Sequence, residues 1–462
     1  MDQVNPIEAV QKAIDTPLSV PDFAPWGRFL RRCIIAGFRI QLRLAARMQV
    51  TGLANVVNAP GTLVMMGHKS ELDGVLLAPL LAAQGGPIGA CAYLAGEHVF
   101  QPWFISGWAL KKPRWLCWLL LPLKLDKLMA GMRVIPVPMA RERFLLSHLI
   151  DLLEHEGDLP LRHLFEQPPP AHLPGVAPDA RVRSVLVWKY IDPLFALAPF
   201  SWFKQPYKQA LWGRHEARIL RMIKAAVSVL DSGGALVILP EGLLSEDGKL
   251  RRIKSGVTQI LKATRDQVVV QPMGVTYDYM TTGRFHAYVN FGPAVYGANS
   301  WNTEETRVQT ACMLSRLTTV TLAQLVSQAL FKEERDNRDS RDERDKESRG
   351  DPVQEEALEV KLAVLRSAVA AAARSCAAAG LLVDEELLEA SAFDRRWRRF
   401  LRYCERHGFL DRHAGRLRVN LRETWKGKHP ATWTVSPWEY HRNEFQALCE
   451  AHGVDLSAQR TK

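Results

Sequence analysis

The chain has 462 residues, 47% hydrophobic and 24% charged, a balance that excludes general disorder and leaves room for two or three domains with buried cores. Its 60 Lys and Arg against 49 Asp and Glu give a formal charge of +11, which suits an anionic partner such as phospholipid, a phosphorylated metabolite, coenzyme A or nucleic acid. Seven cysteines without a Cys-x-x-Cys pair exclude a zinc or redox motif of that kind and point to a reducing compartment, most simply the cytosol.

The amino-terminal stretch MDQVNPIEAVQKAIDTPL is polar and acidic where a signal peptide needs a basic start and an apolar run, so no secretion is expected. Residues 28–47 carry six arginines and no acid. At 100° per residue those arginines fall on an arc of about 160°, which predicts a basic amphipathic helix. Its arginines suit anionic headgroups while Phe29, Leu30, Ile34 and Phe38 dip toward the acyl boundary. Ile35 and Leu42 interrupt the basic arc, and a core-packed helix with a solvated basic side has the same pattern.

Residues 62–66 (TLVMM) read as a buried strand and residues 72–83 as a helix. From 101 to 124 acids are again absent, while Trp103, Trp108, Trp115 and Trp118 alternate with Lys111, Lys112 and Arg114. That mixture favours a lipid–water interface over a nucleic-acid surface. Its most lipophilic run, 115–123, has nine residues, whereas one spanning helix takes about 20. Short apolar runs at 134–137, 235–239 and 268–270 read as further buried strands, with a helical pattern at 214–230. The expected class is therefore α/β, a mostly parallel sheet flanked by helices.

Six prolines between 160 and 178 are expected to forbid regular structure, marking a long loop or insertion. Residues 332–350 hold seven basic and eight acidic side chains and no apolar one, the composition of a solvated linker or a single exposed helix. Beyond it, the alanine-rich run 360–379 and segments around Trp397 and Tyr440 predict helices. The expected organisation is a basic membrane-binding segment (1–60), an α/β domain (61–331) with a Pro-rich insertion near 160–180, a charged linker (332–352) and a mainly helical accessory domain (353–462).

Two motifs carry chemistry. His68-Lys69-Ser70-Glu71-Leu72-Asp73 stands where the strand 62–66 ends and a helix begins. A hydroxyl acting as a nucleophile must lose its proton, and a neutral imidazole takes it when a carboxylate fixes its tautomer. Asp73 suits that role. Five helical residues set two side chains about 140° apart, so the pairing requires His68 in the turn ahead of the helix. Ser70 and Asp73 also fit a helix-capping pattern that needs no catalysis. The second motif follows the strand 235–239: Pro240-Glu241-Gly242, a polar turn Ser245-Glu246-Asp247-Gly248, then a basic run to Lys254. Glycine there lets backbone amides approach an anion, Lys254 can neutralise it, and Glu241 can hold a donor group or orient the loop. A hairpin or tight turn accounts for the glycines equally well.

Together these residues resemble the glycerolipid acyltransferases, the family of lysophosphatidate and glycerol-3-phosphate acyltransferases. Gly67-His68-x-Ser70-x-x-Asp73 is similar to their first block, Leu239-Pro240-Glu241-Gly242 to their third, and Val268-Val269-Val270-Gln271-Pro272-Met273-Gly274 to their fourth, in the family's order over roughly residues 61–293. The resemblance implies an acyl-CoA or acyl-carrier-protein donor as co-substrate, no further cofactor, no metal, and an acceptor bound by the second and third blocks without an acyl-enzyme. The chain departs from the pattern at Leu243 and Leu244, where the family usually has Thr and Arg. Ile135-Pro136-Val137 resembles the second-block strand, but Pro138 and Met139 stand where its arginine is expected, with Arg141 and Arg143 just beyond. Arg214, 27 residues ahead of Glu241, has a separation more usual for the family. Tyr440-His441-Arg442-Asn443 is similar to a segment near the end of glycerol-3-phosphate acyltransferases, and an ordinary packed helix accounts for it as well.

The expectation is a peripheral enzyme on the cytoplasmic face of a membrane with anionic lipids. In it His68 is the general base, Asp73 its orienter, and Glu241, Gly242 and Lys254 with Arg141 or Arg214 bind a lysolipid or glycerol phosphate. Nucleic acid is not expected. The alternatives are an acceptor without phosphate, for which Leu243 and Leu244 line an apolar pocket, and an idle lipid- or nucleic-acid-binding relative. A metal-dependent hydrolase using His68 and Asp73 as ligands lacks a further His/Asp cluster at ligand spacing.

Overall fold

A computed structural model describes residues 25–97, 129, 131–138, 143–167, 173, 175–186, 190–194, 196–265, 267–345, 358–424 and 434–454. The chain forms two compact units, Met1–Arg31 with Ala92–Val229, and Arg32–Cys91 with Leu230–Lys462. In chain order the strands are β1 (Ala46–Thr51), β2 (Thr62–Met66), β3 (Ala92–Gly96), β4 (Val134–Val137), β5 (Ala235–Ile238), β6 (Val269–Asp278), β7 (Phe285–Phe291), β8 (Leu358–Lys361), β9 (Leu410–His413) and β10 (Arg416–Val419). The helices of eight or more residues are α1 (Pro25–Ala45), α2 (Asp73–Ala82), α3 (Leu145–Glu156), α4 (Tyr207–Asp231), α5 (Gly256–Ala263), α6 (Thr303–Arg316), α7 (Leu322–Asp345), α8 (Leu362–Ala378), α9 (Ala390–Arg406) and α10 (Pro437–His452).

In the second unit the strands run in the order β1–β7–β6–β2–β5. All neighbours are parallel except the β6–β7 pair. The apolar runs TLVMM and ALVI occupy β2 and β5 and are buried throughout, as expected for parallel strands covered on both faces. The reading of 268–270 as a strand was too short: β6 continues to Asp278, buried along its whole length. β7 is a further strand that was not expected from the sequence. Its period-2 face of Tyr288 and Asn290 is polar but paired, Tyr288 to Asp384 at 2.6 Å and Asn290 to Thr319 at 2.8 Å, so hydrophobicity alone does not reveal it.

The carboxyl-terminal part of this unit packs α8, α9 and α10 around a core that includes Val326, Trp397, Phe400, Trp438 and Phe445. It also contains a three-stranded antiparallel sheet, β8–β10–β9, which the expectation of helices missed. The strands are four residues long, and in β10 buried Leu417 and Val419 alternate with exposed arginines, too brief a period to read against the charge. Of the two readings of the charged run, helix is observed: it continues α7 to Asp345.

In the first unit β3 and β4 pair in parallel, Tyr93 opposite Val134. β4 is not the buried strand expected, since Pro136 is exposed and its neighbours half-buried. Leu145, Leu149, Leu161, Leu164, Phe165 and Phe203 form the core of this unit. Leu161–Leu164 is a helical turn within the Pro-rich stretch, which the prolines were expected to forbid. Pro160 occupies its N-cap, where the missing N–H costs no helical bond.

On α1, Ile35 and Leu42 are buried, while Phe29, Ile40 and Leu44 are 61%, 60% and 74% exposed. Leu30, Ile34 and Phe38 are half-buried, so Phe29 alone of the four apolar residues assigned to the acyl boundary is exposed. Among the described residues no helix is long and apolar enough to cross a membrane. The basic, Trp-rich segment 101–124 lies outside the described residues.

Candidate active site

β2 ends at Met66 and α2 begins at Asp73, which leaves His68 in the turn ahead of the helix, as the pairing requires. His68 Nδ1 lies 2.8 Å from Asp73 Oδ2. The same oxygen accepts the amide N–H groups of Lys69 at 2.9 Å and Ser70 at 3.1 Å, and Oδ1 accepts the hydroxyl of Tyr277 at 2.7 Å. A carboxylate accepts only, so Nδ1 carries a proton, and in the neutral ring that tautomer leaves the lone pair on Nε2. The His68 side chain is 26% exposed and that of Asp73 2%: the carboxylate is dry and the imidazole reachable.

Tyr277 is a member of the constellation that sequence reasoning missed, and Tyr279 is another, donating to Ser70 Oγ at 2.8 Å. Their rings stack with centroids 5.4 Å apart. Burial, then the charge of Asp73, pushes the Tyr277 phenol well above its usual range, so it remains a donor. The signal was the alternation Tyr277-Asp278-Tyr279 shortly after the fourth block, where β6 ends, a spacing that brings both rings to one side of an extended chain.

Glu241 is fully buried and ties the two motifs together. Oε1 accepts the His68 amide at 2.9 Å and Oε2 the Arg251 amide at 2.6 Å. The His68 carbonyl accepts the Ser245 amide at 3.0 Å, so both peptide groups of His68 are fixed by the loop after β5. Burial raises the Glu241 carboxyl above its ordinary range, opposed by the Lys69 ammonium and these two amides. Gly242 has φ 69°, a left-handed turn that favours glycine. Lys254 folds over it, with Cγ and Cε 3.6 and 3.7 Å from where a Cβ on Gly242 would stand, and its amide donates to the Pro240 carbonyl at 2.9 Å. Its side chain is exposed, while Leu243 and Leu244 beside it are half-buried.

Thus His68, Asp73, Glu241, Gly242 and Lys254 are assembled around one pair of loops. Arg141 lies outside the described residues. Arg214 belongs to the first unit, on α4, where its guanidinium is engaged with Asp151 at 2.6 Å and Glu156 at 3.0 Å. Arg143 and Arg218 meet the same Asp151 at 2.8 and 3.0 Å. Among the described residues, the ligand-type atoms of His286, Asp384 and Glu386 lie within 4.8 Å of one another. Arg396 is 3.2 Å from Asp384 and 3.4 Å from Glu386, so a guanidinium already balances those carboxylates.

No protein-family model matches the chain, and no curated protein matches it. Among solved structures it is similar to the 1-acyl-sn-glycerophosphate (LPA) acyltransferase PlsC from Thermotoga maritima. That similarity covers 66% of this chain and 83% of PlsC, with 13% sequence identity and a TM-score of 0.32.

Proposed function

We propose that the protein is an O-acyltransferase that moves a fatty acyl group from acyl-CoA or acyl-carrier protein to a hydroxyl of a glycerolipid precursor, glycerol 3-phosphate or lysophosphatidate. The observation that carries this reading is the 2.8 Å contact of His68 Nδ1 with a dry Asp73 held by three further donors. In the reaction, Nε2 takes the proton of the acceptor hydroxyl as its oxygen attacks the thioester carbonyl. Asp73 stabilises the imidazolium, and collapse of the tetrahedral adduct breaks the C–S bond and expels the thiolate, which takes the proton from the imidazolium and leaves as the thiol. Lys254, exposed above the Glu241–Gly242 turn, supplies a cation for an acceptor phosphate. The exposed arginines and apolar residues of α1 support a peripheral site of action on an anionic membrane surface.

The half-buried Leu243 and Leu244 favour a second reading, a lysolipid acceptor without phosphate. Purified protein incubated with labelled acyl-CoA or acyl-carrier protein, and with glycerol 3-phosphate, lysophosphatidate and phosphate-free lysolipids, separates the two. With a phosphate acceptor, Lys254→Met raises the acceptor KM by more than about tenfold, the cost of one bond to a charged group, and leaves the donor KM nearly unchanged. With a phosphate-free acceptor the variant behaves as wild type. No acyl product from any pair contradicts the transferase reading.

A further inference from the structure

The carboxyl-terminal helix α10 is packed directly against the candidate site. Lys69, the neighbour of His68, is buried and its ammonium lies 3.1 Å from Glu444 Oε1 on α10. Glu444 is itself buried, and its other oxygen accepts from Gln324 Nε2 at 2.8 Å. Burial alone lowers the Lys69 pKa, but the charges of Glu444, Glu241 and Asp73 outweigh it and hold it above the ordinary value. Lys69 therefore stays charged within a ring of carboxylates.

Further contacts join this helix to the loop that binds His68. Asn443 Nδ2 donates to the Asp247 carbonyl at 2.9 Å, and the Thr434 amide, just ahead of α10, donates to the Glu246 carbonyl at 3.0 Å. The Lys69 ammonium also reaches the Gly248 carbonyl at 3.4 Å. Gly248 has no room for a side chain: a Cβ there would stand 2.1 Å from the Tyr440 carbonyl oxygen. Loop 245–248 is thus held on one side by α10 and on the other by the His68 carbonyl.

We propose that Glu444 is a positioning residue for His68, acting through the buried Lys69 ammonium, and that α10 clamps loop 245–248 against the peptide groups of the base. The proposal rests on the reading of His68 as the base. It explains why both partners of a costly buried ion pair are present beside the motif: each is desolvated, and the geometry they fix is that of the turn carrying the imidazole.

The test uses full-length wild type, Glu444→Gln, Glu444→Asp and Asn443→Ala, with two readouts. In hydrogen exchange, Glu444→Gln should speed exchange of the amides in peptides covering 67–71 and 243–251 by about tenfold, and β5 and β6 should be unchanged. Asn443→Ala, which loses a single bond, carries the same measurement if Glu444→Gln does not fold. In steady-state acyl transfer, Glu444→Gln should lose about tenfold or more in kcat with unchanged substrate KM values. Glu444→Asp keeps the charge but not the shape and should retain more kcat than isosteric Glu444→Gln; a packing role gives the opposite order. Unchanged exchange, or Gln equal to or better than Asp, overturns the proposal. If wild type transfers nothing, the transferase reading fails, while the exchange readout still decides whether α10 is the clamp.

Discussion

Asp73 Oδ1 has one donor, Tyr277, whereas Oδ2 has three, so substitutions around this carboxylate should be graded. Tyr277→Phe removes one charged hydrogen bond and is expected to lower kcat about tenfold, whereas Asp73→Asn places an NH₂ against a donor and should cost about 100-fold or more. Initial rates at saturating substrates check this order. Glu241→Gln can accept only one of the two amides of His68 and Arg251, and a loss of about 1–3 kcal/mol in urea unfolding is expected. The His68–Asp73 pair was legible because both groups stand at a strand-to-helix junction. Tyr277 was not, because it reaches Asp73 from 204 positions away and a tyrosine in a buried strand ordinarily reads as core.

At the scale of elements, Gly248→Ala should displace α10 from loop 245–248, because φ 86° and the 2.1 Å approach to the Tyr440 carbonyl leave no place for a Cβ. A loss of about 1–3 kcal/mol is expected, together with faster exchange of the loop amides. The glycine was visible in the sequence with two readings, an approach of backbone amides to an anion or a tight turn; it stands in a turn at φ 86°, and what the sequence did not reveal is the helix backbone packed against it. On α3, His148 is buried with Nε2 donating to the Ala198 carbonyl at 3.0 Å. Burial, then the charge of Arg143, lowers its pKa to about 3. The folded state keeps it neutral while the unfolded chain takes up a proton below about pH 6.5. Stability from this group is therefore lost as pH falls from about 6.5 toward 3, by about 2 kcal/mol at pH 5. Comparing urea midpoints at about pH 7.5 and pH 5, His148→Gln should show a smaller acid loss than wild type by about that amount. Element types were legible where apolar runs were continuous, as in β2 and β5. They were hidden where a strand's polar face is paired internally, as in β7, or where a strand is four residues long, as in β10.

For the molecule, the excess of cations acquires a place on α1, where Arg28, Arg32, Arg39 and Arg43 form a stripe about 60° wide, all exposed. Beside it lie exposed Phe29, Ile40 and Leu44. Replacing the four arginines by Gln should weaken sedimentation with anionic vesicles, and added salt should weaken wild-type binding, since such attraction decays over about 8 Å at physiological ionic strength. Equal binding of both proteins counts against a membrane role for this face. The proposed acyl transfer requires His68 as its base. The most direct measurement is the initial rate of ester formation by folded, purified His68→Ala beside wild type, with the labelled donor and acceptor pair that wild type uses. The expected result is a fall of about 10²–10⁴ in kcat with an unchanged circular-dichroism spectrum and melting temperature. Wild-type turnover by His68→Ala would contradict it.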